Sequence, residues 1–128
     1  MKRIILTTTI LALLACASDA HAQNDFLIKN REMLKEYFLY SCIRHGFKEC
    51  DTIIRNDHSG AVYIDLLRYN LKAINKVDSL AQEFVSSLEV SPYENRKTKG
   101  IIILSIKEYK SKRLDIFIKR LDKYMLKD

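Results

Sequence analysis

Breaks are scarce in this chain: three glycines and one proline punctuate 128 residues. These two residue types stop helices most readily, at costs of roughly 1 and 3 kcal/mol in a helix interior. Between them the apolar residues mostly fall in helical rhythm rather than in strand-like alternation. From 25 to 45, Leu27, Leu34, Phe38, Ser41 with Cys42, and His45 recur at spacings of three, four or seven, one stripe of a helix that Gly46 is expected to end. The rhythm is clearest from 71 to 88. There Leu71, Ile74, Val77, Asp78, Ala81, Phe84, Val85 and Leu88 form a stripe with one acidic member, and Lys72, Lys76 and Glu83 fall on the face turned to water. A last stripe of Leu114, Phe117, Ile118, Leu121, Tyr124 and Met125 predicts a helix from 111 to 126, with Ser111 as its cap.

Two segments read less simply. Residues 51 to 69 carry Ile53, Ile54, Val62, Tyr63, Leu66 and Leu67, interrupted by a polar stretch in which Asp57 or Ser59 can cap a fresh helix. One faulted helix and a turn followed by a helix both fit. The run Ile101-Ile102-Ile103-Leu104 has strand composition. No second convincing strand exists to pair with it, so a helix is expected. Ser91-Pro92 places the main loop at residues 89 to 99, because proline cannot continue a helix and biases the residue before it to extended backbone. Short connections between four or five helices make an all-α fold, a compact antiparallel bundle.

The N-terminus carries an address. Lys2 and Arg3 precede an apolar run of about a dozen residues, and Ala20-His21-Ala22 supplies the small residues of a cleavage site. That run is short for a spanning helix, which needs roughly 20 apolar residues. A secretory signal peptide over residues 1–22 is therefore expected, cleaved after Ala22, with residues 23–128 as one helical domain. Leu13-Leu14-Ala15-Cys16 also resembles a lipoprotein box, although Leu14 fits it poorly, and anchoring through Cys16 is the alternative. Either route leads out of the cytoplasm.

Charge is distributed unevenly along the remaining chain. Residues 96–128 carry 11 basic and 4 acidic side chains, a net of +7, whereas residues 23–95 carry 9 and 11, a net of −2. Export argues against nucleic acid as the partner of the basic end. A solvated helix face is the plain reading, and an acidic protein or an anionic lipid surface is the functional one. Cys42 and Cys50 remain after cleavage; in an oxidising compartment they either form a disulfide or stay two unpaired thiols.

Catalytic spacing is missing. His45 and His58 lie 13 residues apart, which does not place two ring nitrogens on one helical face, and His45 reads as a helix-end residue. Cys42 and Cys50 form no CxxC pair, and neither a GxSxG elbow nor a phosphate-binding glycine loop occurs. The carboxylates read as solvated surface. No catalytic, metal-binding or cofactor-binding residue is assigned, and no small-molecule substrate is expected. The tyrosines read as core or boundary packing, except Tyr93, which sits among charges on the proline loop and suits either a protein interface or a plug for the bundle end.

Taken in order, Ser41-Cys42-Ile43, Leu71-x-Ala73 through Leu80 and Phe84, Pro92-Tyr93, and Tyr109-Lys110-Ser111-Lys112-Arg113-Leu114-Asp115 resemble the Tai4 family, the amidase immunity proteins of type VI secretion. The resemblance covers residues 36 to 124. It departs at Ser105, where similar chains tend to carry a cysteine, and around residues 56–60, where their second helix is richer in alanine. It implies an all-α periplasmic protein, often a homodimer, that occludes the active-site cleft of a peptidoglycan-cleaving amidase effector and performs no catalysis itself. It also implies that Cys50 takes the place of the missing cysteine as a partner for Cys42. On that footing the interface is expected on Glu89, Ser91, Pro92, Tyr93, Glu94, Asn95 and Arg96, together with the exposed face of the 71–88 helix. The alternative is a small envelope-associated binding protein or lipoprotein that sets its basic end against anionic lipid or cell-wall polymer.

Overall fold

The computed structural model describes residues 2–48, 56–90 and 99–126, with side chains from residue 22 onward. Five α-helices lie among the described residues: α1 (Lys2–Gly46), α2 (Ser59–Leu66), α3 (Leu71–Ser87), α4 (Ile101–Tyr109) and α5 (Lys112–Lys119), followed by a 3-10 turn, Asp122–Tyr124. No strand occurs among the described residues. The chain divides into two compact units, Met1–Asn30 and Arg31–Asp128. The first is helical, and its Asn30 side-chain amide donates back to the Phe26 carbonyl at 3.0 Å.

In the second unit α1 contributes Leu34, Tyr37, Phe38, Ser41 and Cys42 to the interior, the i, i+3, i+4, i+7, i+8 pattern of a helix with one buried face. Ala73, Ile74, Val77, Ala81 and Val85 of α3 complete the core with Leu114 and Ile118 of α5 and Leu121 beyond it. Phe38 is wholly buried, which stabilises the fold by about 2–3 kcal/mol, and its ring lies 6.0 Å from that of Phe84. Helix α2 packs through aromatics instead: the Tyr63 ring meets Tyr37 edge-on at 6.5 Å and Tyr40 at 6.4 Å. Gly60 lets α2 approach closely here: a β-carbon would lie 2.6 Å from the Tyr40 ring and would force it to move.

The helix starts follow their caps. Asn70 accepts from the Lys72 and Ala73 amides at 3.0 and 3.3 Å and opens α3, and Ser111 accepts from Leu114 N at 3.1 Å and opens α5, as expected. The start of α2 differs from expectation: its cap position is His58, whose side chain makes no capping bond, and Asp57 takes up the Ser59 amide at 3.1 Å from one residue earlier. At the other end of α3, the Lys99 ammonium donates to the Val85 and Ser86 carbonyls, where the helix dipole favours a cation. Gly46 does end α1, and packing supplies a reason beyond helix termination: a β-carbon there would sit 2.5 Å from the Ile101 side chain. The isoleucine run is helical, in α4.

The end of the chain differs from its pattern. The 111–126 stripe predicts one helix, but α5 stops at Lys119 and the chain becomes extended at Met125. There the Asn70 amide donates to the Tyr124 carbonyl at 3.0 Å and Leu126 N to Arg68 O at 2.9 Å, an isolated antiparallel bridge. Backbone pairing with the α2–α3 link thus replaces the last helical turn.

Candidate partner-binding surface

Arg31, Lys35 and Arg44 of α1 are tied inward. Arg31 grips Asp122 with Nε at 3.0 Å from Oδ1 and Nη2 on Oδ2, and the buried Tyr69 hydroxyl donates to the same carboxylate at 3.2 Å. The Asp122 hydrogen bond raises the Arg31 pKa above its ordinary value, against the cost of burial. Burial and the neighbouring carboxylate push Tyr69 up as well. Lys35 bridges Asp115 at 2.9 Å and Glu32 at 3.4 Å, and its ammonium lies 4.8 Å above the Tyr109 ring. Tyr109 donates to Glu32, a hydrogen bond that, with burial, moves its pKa to about 12.

At the end of α1, Arg44 meets Asp78 at 2.5 Å and His45 Nε2 lies 3.2 Å from the same oxygen. Burial opposes the Asp78 charge, yet the Arg44 hydrogen bond and charge outweigh it and hold the carboxyl below its usual range. Two expectations change here. His45 does more than face a helix dipole, and the carboxylates Asp78, Asp115 and Asp122 are partners of α1 rather than scattered surface. Asp78 had a legible signal, because a carboxylate within an apolar stripe needs a cation opposite it.

Among the described residues Cys42 forms no disulfide, and its thiol has no exposed surface. It lies against Ser105, and burial pushes its pKa up to about 12. The fold thus brings together Cys42 and Ser105, side chains 63 positions apart in the sequence. The expected partner Cys50 lies outside the described residues. So do Ser91, Pro92, Tyr93, Glu94, Asn95 and Arg96 of the expected interface; Glu89 is described and exposed, just past the end of α3. Among the described residues no group of three His, Cys, Asp or Glu side chains is placed to hold a metal.

The exposed face of α3, the other part of the expected interface, forms one wall of a groove. An open depression of about 640 Å³ is lined by Lys72, Lys76, Leu80 and Glu83 of α3 and by Phe117 of α5. A second, of about 230 Å³, shares Leu80 and Phe117 and extends to Arg113 and Arg120. Leu80 and Phe117 pack half-buried against the core and offer their outer sides as an apolar floor. The rim is basic. Arg113 is held by Glu108 at 2.7 Å and Lys72 lies 5.6 Å above the Tyr124 ring, while Lys76 and Arg120 have no ionic partner among the described residues. The sequence reading placed Phe117 in the core stripe and missed its second role, since helical periodicity cannot show that α5 borders α3.

A second exposed feature lies on α4, where Ile102, Ile103 and Ile106 are 52%, 72% and 39% exposed. Three isoleucines on one short helix form an apolar face of the kind that marks association surfaces. Among the described residues no helix is long and apolar enough to cross a membrane.

A family model described as Tai4, type VI secretion system (T6SS), amidase immunity protein, matches residues 32–118. Searches of curated proteins and of solved structures return no match. The matched span begins on α1 beside Arg31 and ends on α5 at Ile118, so it takes in Leu80, Arg113 and Phe117 of the groove and stops short of Arg120.

Proposed function

We propose that this chain, which belongs to the Tai4 family of T6SS amidase immunity proteins, is a periplasmic inhibitor that binds one cognate peptidoglycan amidase and occludes its active site. The family match over residues 32–118 carries this reading. An immunity protein acts by shape and charge complementarity at a surface and needs no reactive group of its own. The open, basic-rimmed groove and the exposed Glu89 at the start of the proline loop support such a use. In this reading the leader is cleaved after Ala22, which leaves the whole compact unit Arg31–Asp128 in the mature protein. The mature chain is a homodimer, for which the isoleucine face of α4 is a suitable contact.

The test is direct. Mature protein is added in equal amounts to candidate type VI secretion peptidoglycan amidases of the same organism, and peptidoglycan digestion is followed. Near-complete inhibition of one of them at a one-to-one ratio is expected; digestion at an undiminished rate by all of them contradicts the proposal. The unpartnered cations Lys76 and Arg120 favour one other reading, an envelope protein set against anionic lipid or wall polymer. Mass spectrometry of the mature N-terminus separates them in part: a free Gln23 accords with the inhibitor, an acylated Cys16 with the envelope protein.

A further inference from the structure

The groove between α3 and α5 combines features that a merely solvated helix face lacks. Its floor is apolar, formed by Leu80 and Phe117 from opposite walls. Its rim carries cations from both helices, with Lys72 and Lys76 on one side and Arg113 and Arg120 on the other. The acids on it are Glu83, at the α3 wall, and Glu108, which is engaged by Arg113. Lys76 and Arg120 are left to face solvent beside apolar surface. An apolar seat ringed by charge is the arrangement found at protein interfaces, where a buried anchor supplies affinity and rim charges select and orient the partner. A flat lipid surface would contact the rim and leave the recessed floor unfilled.

We infer that this groove receives an acidic segment of the amidase, with one apolar side chain of that segment seated between Leu80 and Phe117 and its carboxylates facing Lys76 and Arg120. This rests on the immunity reading and goes beyond it, because it assigns α5 as well as α3 to the contact and gives the charge of what docks there. The contact is sensitive to salt, since exposed charge pairs are screened over about 8 Å at physiological ionic strength.

The test uses calorimetric titration of the mature protein with the candidate type VI secretion amidases, in low salt. Two double variants of equal charge change are compared: Lys76→Glu with Arg120→Glu in the groove, and Lys29→Glu with Lys48→Glu, on α1 and just past its end, neither of which lines the groove. All four positions are exposed, so both proteins should keep the wild-type melting temperature. The groove variant is expected to bind at least 30-fold more weakly, and the Lys29 and Lys48 variant within about threefold of wild type. Equal losses in both variants, or a groove variant that binds as wild type does, overturn the groove assignment while leaving the immunity reading intact. A wild-type protein that neither binds nor inhibits any of these amidases overturns the immunity reading and the assigned occupant together. Sedimentation with vesicles containing phosphatidylglycerol gives a further check. Binding that the groove variant alone loses would assign the surface to lipid and overturn the proposal.

Discussion

Arg31 of α1 and Lys76 of α3 are both cations beside the same core, and the molecule uses them differently. Arg31 has its charge satisfied by Asp122 and lies about three-quarters buried, as does its partner. Lys35 and Arg44 repeat the arrangement with Asp115 and Asp78, so α1 is fastened to α3, to α5 and to the 3-10 turn by charge as well as by Leu34, Phe38 and Cys42. Lys76 and Arg120 stand over the groove with no ionic partner among the described residues. Fixed charges hold geometry and are unavailable to a ligand, whereas free ones add little to stability and are available. The net charge of a segment therefore says less about its function than the pairing of each cation does.

The fastening of α1 can be tested most forcefully by adding a covalent tie. Cys42 and Ser105 face one another in the core, so Ser105→Cys should form a disulfide under oxidising conditions without moving α1. Closing a loop of that length stabilises by about 4 kcal/mol in the chain-entropy account. Denaturant midpoints with and without reductant would measure it. A bridge that fails to form, or that destabilises, would mean that α1 and α4 are not held in this register.

Removing a partner of α1 comes next in size. Asp122→Ala leaves Arg31 and the Tyr69 hydroxyl without their shared acceptor. Fully buried pairs cost roughly 3–5 kcal/mol when broken. This one retains some solvent access, so a loss of about 2 kcal/mol is expected, read as a lower urea midpoint at unchanged slope. A negligible loss would place Arg31 among the free surface cations and dissolve the contrast.

How much of this was legible before the fold was seen depends on the range of the interaction. The buried faces of α1 and α3 and the cap at Ser111 were readable, because periodicity and capping act within a few residues. The Arg31–Asp122 pair spans 91 positions, and no local pattern announces it. The same is true of the bridge between Tyr69 and Met125, which stands where the stripe at 121–125 predicts helix. For the candidate site, the α3 face was readable as a solvated helix side, while its partner wall on α5 required knowing which helices are neighbours. Residues 91–96, on which the loop expectation rests, lie outside the described residues.

Acid should separate the Asp78 contact from ordinary surface charge. Its carboxyl pKa is lowered in the folded state, so its contribution is fully present above the unfolded value of about 3.9 and fades as pH falls through the lower folded value. Asp78→Asn should cost about 1 kcal/mol at neutral pH, the worth of a charge-assisted hydrogen bond with some solvent access. The deficit relative to wild type should shrink below pH 4, where the native carboxylate is itself being neutralised. Parallel urea titrations at pH 7 and pH 3 would show this. A deficit that stays constant would mean that the Arg44–Asp78 pair contributes through shape alone.

The smallest expected effect bears on the other half of the comparison. Lys76→Gln with Arg120→Gln removes two charges that have no ionic partner among the described residues, at positions exposed on α3 and just beyond α5. Surface substitutions away from caps and buried networks usually change stability by less than about 0.5 kcal/mol, and that bound is expected here at any salt concentration. Removing like charges that face one another across a groove can even raise the melting temperature slightly at low ionic strength, where their repulsion is least screened. A loss above about 1 kcal/mol would show that these two cations have folded-state partners, and the free-charge side of the contrast would fail on stability grounds alone. If stability holds while affinity for the amidase falls, the division stands: the charges of α1 maintain the fold, and the charges over the α3–α5 groove select what binds to it.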